Sequence, residues 1–216
     1  MASTLRADDV LAATQGVRRR SIALLRPLGE AASSTVVPTC PQWTVKQLAC
    51  HLFGVCDDLL NGRLDGVGTD AWTLAQLARH EAKPLTEILD EWEASADPFD
   101  ALVPLIPAPS NARLVMDQVT HEQDLRLALG APGARDDVAV TIGATYMLEI
   151  LGDRDPAYAH DVATSGLSDF ELLRALSGRR SASQLDACGL SPARLAALLS
   201  TTPMSITVVD VDELAV

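Results

Sequence analysis

Residues 44–61 leave this chain little choice of local structure. Thr44 is followed three residues later by Gln47, the spacing of a capping box, in which each side chain satisfies the other residue's exposed backbone N–H. Val45, Leu48, Ala49, Leu52, Val55, Cys56 and Leu59 then recur at three- and four-residue spacing, and Asn61-Gly62 suits the end of the helix they predict. Such a stripe must be buried against other elements. His51 falls on its flank, where an imidazole can point into a bundle interior.

The rest of the chain supplies helical partners. Residues 6–28 predict a first helix. Asp8 and Asp9 near its start suit the helix dipole, and Val10, Leu11, Val17, Ile22, Leu24 and Leu25 give an apolar face. Gly29 to Gln42 reads as a loop rich in Ser, Thr and Pro. Residues 70–80 and 84–95 read as helical pieces broken by Pro84, with Leu74, Leu77, Leu85, Ile88, Leu89 and Trp92 facing inward. Pro98, Pro104, Pro107 and Pro109 mark a mostly irregular stretch. Ser110 or Asn111 can then cap a helix that runs to about Leu129 and stops at Gly130. The expectation is a four-helix bundle over residues 1–132 with long connections.

After Gly130 the pattern changes. Residues 136–151 predict another helix, and Ser168-Asp169 opens one that Gly178 ends. Ser181 and Ser191 can cap two short helices. Ile206-Thr207-Val208-Val209 reads as one short strand, or as a tail laid along the domain. The predicted fold is mainly α: a bundle, then a small, mostly helical C-terminal region over residues 133–216 with at most a short strand.

Composition narrows the function. Hydrophobic residues make up 48% of the 216 residues and aromatics only 4%, which favours helices packed through aliphatic side chains over a sandwich or barrel. The net charge of -12 argues against nucleic acid and against anionic membrane surfaces, both of which need a basic patch. The short runs Arg18-Arg19-Arg20 and Arg179-Arg180 read as solvated helix faces or ends, though an Arg pair could also clamp a substrate carboxylate. Cys40, Cys50, Cys56 and Cys188 form no Cys-x-x-Cys pair, so neither a zinc ribbon nor a redox motif is signalled. No apolar run approaches the ~20 residues of a membrane span, and no secretory leader is expected. The expected setting is the cytoplasm, with reduced thiols. Glycine-rich nucleotide loops and nucleophile elbows are absent.

The chemistry-bearing pattern lies in Asp117-Gln118-Val119-Thr120-His121-Glu122-Gln123-Asp124. On a helix, Asp117, His121 and Asp124 share a narrow arc, flanked by Leu114, Leu125 and Ala128, which should turn it inward. Two carboxylates and an imidazole on an inward face need charge compensation, which a divalent cation supplies. Should His51 face them across the interface, three ligands and an open fourth position result. The other reading is an exposed face on which Asp117 and His121 form an ordinary i,i+4 pair. Cys56 reads as a core residue, and Cys50 points away from His51. His80 and His160 read as surface residues.

These segments resemble the mycothiol-dependent maleylpyruvate isomerase family of the DinB-like metal-binding bundles. The matching residues are Trp43-Thr44-Val45 leading to His51-Leu52, and Asp117-x-x-x-His121-x-x-Asp124-Leu125-Arg126-x-Ala128-Leu129-Gly130-x-Pro132. The stretch Phe170 to Ser181 also resembles a segment common in actinobacterial relatives. The resemblance implies a metal, zinc foremost, held by His51, Asp117 and His121, with Asp124 as a supporting partner. Asp117 stands where the family usually has Glu; being one methylene shorter, it requires a closer helix or a shifted metal. The resemblance further implies mycothiol or another small thiol as cofactor. Its thiolate, at the open metal position, would attack a small electrophile in isomerisation or S-transfer. A non-catalytic metal-binding, regulatory or partner-binding protein on the same bundle is the rival expectation, and a bundle face could also serve a homodimer.

Overall fold

In the computed structural model, the described residues are 6–200, 202, 204, 206, 207 and 210. The fold is mainly α and DinB-like. Helix α1 (Ala7–Leu25) is followed by a 3-10 turn (Glu30–Ser34) and a small antiparallel hairpin of β1 (Val36–Val37) and β2 (Cys40–Thr44). Then come α2 (Val45–Leu60), α3 (Asp70–His80), α4 (Leu85–Ala94), α5 (Ala96–Leu102) and a second 3-10 turn (Val103–Leu105). Helices α6 (Ser110–Ala128) and α7 (Val138–Arg154) are the long central pair. The short helices α8 (Pro156–Ala163), α9 (Asp169–Leu176), α10 (Ala182–Ala187) and α11 (Pro192–Leu199) follow.

Helix α6 packs against α1, α2 and α7, while α3 and α4 lie against α2 on the far side. Helix α9 packs on α7, so the C-terminal helices share one continuous core with the bundle. The capping box forms as its sequence predicts: the Gln47 N–H donates to Thr44 Oγ1, and the Thr44 N–H donates to Gln47 Oε1. A cap of this kind contributes about 1 kcal/mol and fixes where α2 begins, and with it the register of His51. Ser168, Ser181 and Ser191 also cap their helices.

Several expectations need correction. The loop expected over 29–42 contains the hairpin, whose second strand runs straight into the Thr44 cap. The proline-rich stretch is half helical, because Pro98 sits in the first turn of α5, where a missing N–H costs nothing. Neither Ser110 nor Asn111 is a cap: Ser110 is already helical, and Pro109 precedes it. On α3, Leu74 is exposed, and the inner face is instead Gln76, Leu77 and His80. His80 is therefore buried, not on the surface; its ring tilts against Phe53. The arginine runs are not solvated either. Arg18 pairs with Asp100, Arg20 with Glu122 and Asp137, and Arg180 with Glu171; only Arg19 of the first run is exposed. Guanidiniums facing acids on neighbouring helices let a strongly acidic chain close its helix interfaces. Of the expected strand over 206–209, Val208 and Val209 lie outside the described residues. Ile206 and Thr207 are not in a strand, and the Thr207 N–H donates to the Gly178 carbonyl at 2.9 Å.

Candidate metal centre

Helices α2 and α6 bring His51, Asp117 and His121 together, with one ligand atom of each lying within 4.8 Å of the others. Asp117 sits between the imidazoles: its Oδ2 is 3.4 Å from His51 Nε2 and its Oδ1 is 3.7 Å from His121 Nε2. Donors about 2.0–2.1 Å from a tetrahedral ion stand about 3.3–3.4 Å apart, so the Asp117 spacings are close to a ligand edge. The shorter side chain of Asp117 reaches both histidines because α2 and α6 pack directly. The residues present therefore suit a divalent cation.

The far nitrogens of both rings are tied to acceptors. His51 Nδ1 lies 2.8 Å from Gln76 Oε1, and Gln76 Nε2 donates to Asp58 Oδ2 at 2.9 Å. Asp58, fully buried, also accepts from Arg63 Nε at 2.6 Å and from Arg79. Because Asp58 accepts from Arg63 and Arg79 as well, Gln76 turns its amide N–H to Asp58 and its carbonyl to His51. His51 Nδ1 then carries the proton and its Nε2 faces Asp117. His121 repeats the arrangement with a direct carboxylate: its Nδ1 is 3.1 Å from Asp124 Oδ2. Both imidazoles thus present Nε2 to the common point, the arrangement by which outer hydrogen bonds orient metal-binding histidines.

Asp124 is completely buried. Its Oδ1 accepts from Thr39 Oγ1 at 2.8 Å and from Arg174 Nη1 at 2.7 Å, and its Oδ2 accepts from Arg179 Nη2 at 2.9 Å. Cys40 Sγ lies 3.8 Å from Oδ2. Burial opposes the charge on Asp124, but Arg179 and Arg174 outweigh it and hold the carboxyl well below its usual range. Burial likewise opposes ionisation of Asp117; His51 beside it, then His121 and Arg113, prevail and bring it to about 2. Burial would lower His51, but Asp117 and Gln76 raise it. Burial lowers His121, despite the opposing pull of Asp124 and Asp117.

The hairpin closes one side. The Trp43 ring stacks nearly parallel to His121 at 6.2 Å and meets His51 edge-on at 5.4 Å. Access is from the Asp117 side: its side chain is 32% exposed, against 5% for His51 and 13% for His121.

Over residues 15–131, more than half its length, the chain matches the family model described as the mycothiol maleylpyruvate isomerase N-terminal domain. The chain belongs to that family. No curated protein and no solved structure matches it. All three residues that converge lie inside the family match, as do Gln76 and Asp124. Arg174 and Arg179 lie beyond it. No helix among the described residues is long and apolar enough to cross a membrane.

Sequence spacing places Asp117, His121 and Asp124 on one arc, and the structure keeps them there. The sequence gives no sign of Gln76 beyond its place on one helix face with residues 72 and 80. Cys50 and Cys56 are buried and do not join the His51, Asp117 and His121 cluster, and His160 is exposed. Arg179, which as a lone motif could clamp a substrate, is instead engaged by the protein's own Asp124.

Proposed function

We propose that this chain is a metal-dependent, thiol-using enzyme that carries out isomerisation or S-transfer on a small electrophile. His51, Asp117 and His121 would hold one divalent cation, zinc being the ion best suited to two imidazoles and a carboxylate. One observation carries the reading: two histidines present Nε2 toward one carboxylate, and both far nitrogens are already committed to Gln76 and Asp124. Any buried imidazole needs a partner; what supports the metal reading is that both outer bonds leave Nε2 turned toward the same carboxylate. When bound, the ion would supply Lewis acidity that favours the thiolate of a small thiol such as mycothiol at neutral pH. Trp43 walls the site on the hairpin side and limits water there, while the exposed edge of Asp117 marks where thiol and electrophile enter.

A non-catalytic metal-binding or partner-binding role on the same bundle is the second reading. It is favoured by the region after residue 131, where the described residues form helices and turns and no sheet that could wall a substrate pocket.

The test is elemental analysis of tag-free protein beside His51→Ala and His121→Ala, followed by thiol-consumption assays with mycothiol and a panel of electrophiles. About one equivalent of zinc, lost in both variants, with metal-dependent thiol consumption, is the expected result. Metal without turnover favours the second reading. No metal after reconstitution overturns the enzyme reading and leaves a bundle whose polar face serves packing or a partner.

A further inference from the structure

Helix α9 ends in a Schellman motif. Gly178, with φ of 80°, takes the left-handed turn that a side chain resists, the Gly178 N–H donates to the Ala175 carbonyl at 3.1 Å, and the Arg179 N–H donates to the Arg174 carbonyl at 2.7 Å. Reversing the chain there folds Arg179 back beside Arg174, so that two guanidiniums five residues apart in sequence reach a single carboxylate, Asp124. The Arg179 Nη1 also donates to the Ser177 carbonyl at 2.6 Å, fixing the side chain within the turn.

An ionised carboxylate offers about four acceptor positions. On Asp124, Thr39 and Arg174 take those of Oδ1, Arg179 and His121 take those of Oδ2, and the Cys40 thiol adds a weak contact to Oδ2 at 3.8 Å. Of the four partners that bond through nitrogen or oxygen, three come from outside α6, and they fix the rotation of the carboxylate. The fourth contact is the bond that sets the plane of the His121 ring. With Arg179 removed, Oδ2 would keep His121 and only the weak Cys40 thiol contact, and the carboxylate would be freer to turn about its Cβ–Cγ bond.

We infer that Arg174 and Arg179 are positioning residues of the centre: they lock the Asp124 carboxylate so that His121 presents Nε2 beside Asp117. The segment from Arg174 to Arg179, beyond the family match, therefore completes a centre whose ligands all lie within it. This inference rests on the metal-binding reading above, and its test separates the two. Arg180 provides the control. It is equally buried in the same segment, and its guanidinium pairs with Glu171 and donates to the Arg179 backbone carbonyl, while the Asp124 carboxylate is held by Arg174 and Arg179.

The experiment compares full-length wild type, Arg179→Ala, Arg179→Lys and Arg180→Ala. Metal affinity is measured by chelator competition on folded protein, and the visible spectrum is recorded after cobalt(II) loading. The His121 ring N–H resonance is followed in metal-free protein. Arg179→Ala should weaken cobalt and zinc binding about 10–100-fold, alter the cobalt bands and lose the protected ring N–H signal. Arg179→Lys, which keeps the charge without the fork, should fall between, and it carries the test should the alanine variant not fold. Arg180→Ala should lower stability while leaving affinity, spectrum and ring signal as in wild type. Equal loss in the Arg179 and Arg180 variants, or none in Arg179→Ala and Arg179→Lys, overturns the inference. Should wild type take up no metal, the metal-binding reading fails, and the ring N–H signal alone decides: its loss specifically in the Arg179 variants supports the inference, and its persistence overturns it.

Discussion

His51 and Gln76 stand 2.8 Å apart, Nδ1 to Oε1, in a fully enclosed contact between α2 and α3. Gln76 relays the Asp58 carboxylate to the imidazole, much as Asp124 acts directly on His121. Gln76→Leu should therefore leave His51 Nδ1 and Asp58 each short of a partner and weaken zinc binding about 10–100-fold. Chelator competition checks this; unchanged affinity would remove Gln76 from any role in the centre.

The approach of α3 to α2 that allows this contact depends on Gly54. A Cβ there would stand 2.7 Å from Gln76 Cβ and 2.9 Å from its Cγ. The near atom belongs to the base of the side chain, so relief requires α3 itself to move. Gly54→Ala should cost about 1–3 kcal/mol of stability through overpacking and weaken metal binding together with it. Urea denaturation and metal titration of the same sample measure both; a stable variant with altered affinity alone would contradict the packing argument.

Asp117 tests the departure from the family's usual Glu. Asp117→Asn keeps the shape but loses the charge, and should abolish stoichiometric metal uptake. Asp117→Glu should retain uptake with a shifted cobalt(II) spectrum, since the carboxylate must fold back to fit the 3.4 and 3.7 Å spacings. Metal retained at full affinity by Asp117→Asn would exclude Asp117 as a ligand.

His80 gives a pH-dependent prediction away from the centre. Its ring is buried against Phe53, and neither nitrogen makes a hydrogen bond among the described residues; the nearest acid, Asp57, lies 3.4 Å from Nε2. Burial lowers its pKa from the ordinary 6.5, and Asp57 only partly offsets this. The unfolded chain then takes the proton first on acidification. The contribution of His80 to stability is complete above about pH 6.5 and is lost as pH falls through the lower folded value. Urea midpoints between neutral pH and about pH 5 should fall less steeply for His80→Leu than for wild type. Parallel slopes would show that His80 titrates normally.

Burial also sorts the thiols. Cys50 and Cys56 are enclosed, and burial pushes each up to about 12, whereas Cys40 and Cys188 are partly exposed. A thiol reagent near pH 8 should count at most two cysteines in the native protein and all four after denaturation. Four fast thiols in the native state would contradict the packing around α2.

What the sequence determined by itself was local. The Thr44–Gln47 box, the Ser168, Ser181 and Ser191 caps and the Gly178 stop are legible because each depends on residues within a few positions of one another. The arc of Asp117, His121 and Asp124 is legible for the same reason, since helix geometry alone places three- and four-residue neighbours together. Tertiary structure decided which distant groups meet that arc. The link from His51 through Gln76 to Asp58, the arginines of α9 and of the turn after it on Asp124, and Trp43 against His121 all join segments apart in the chain. Periodicity states that a face is buried but not against what. For that reason the two arginine runs read as solvated charge in sequence, yet Arg18, Arg179 and Arg180 are buried ion-pair partners once the helices pack.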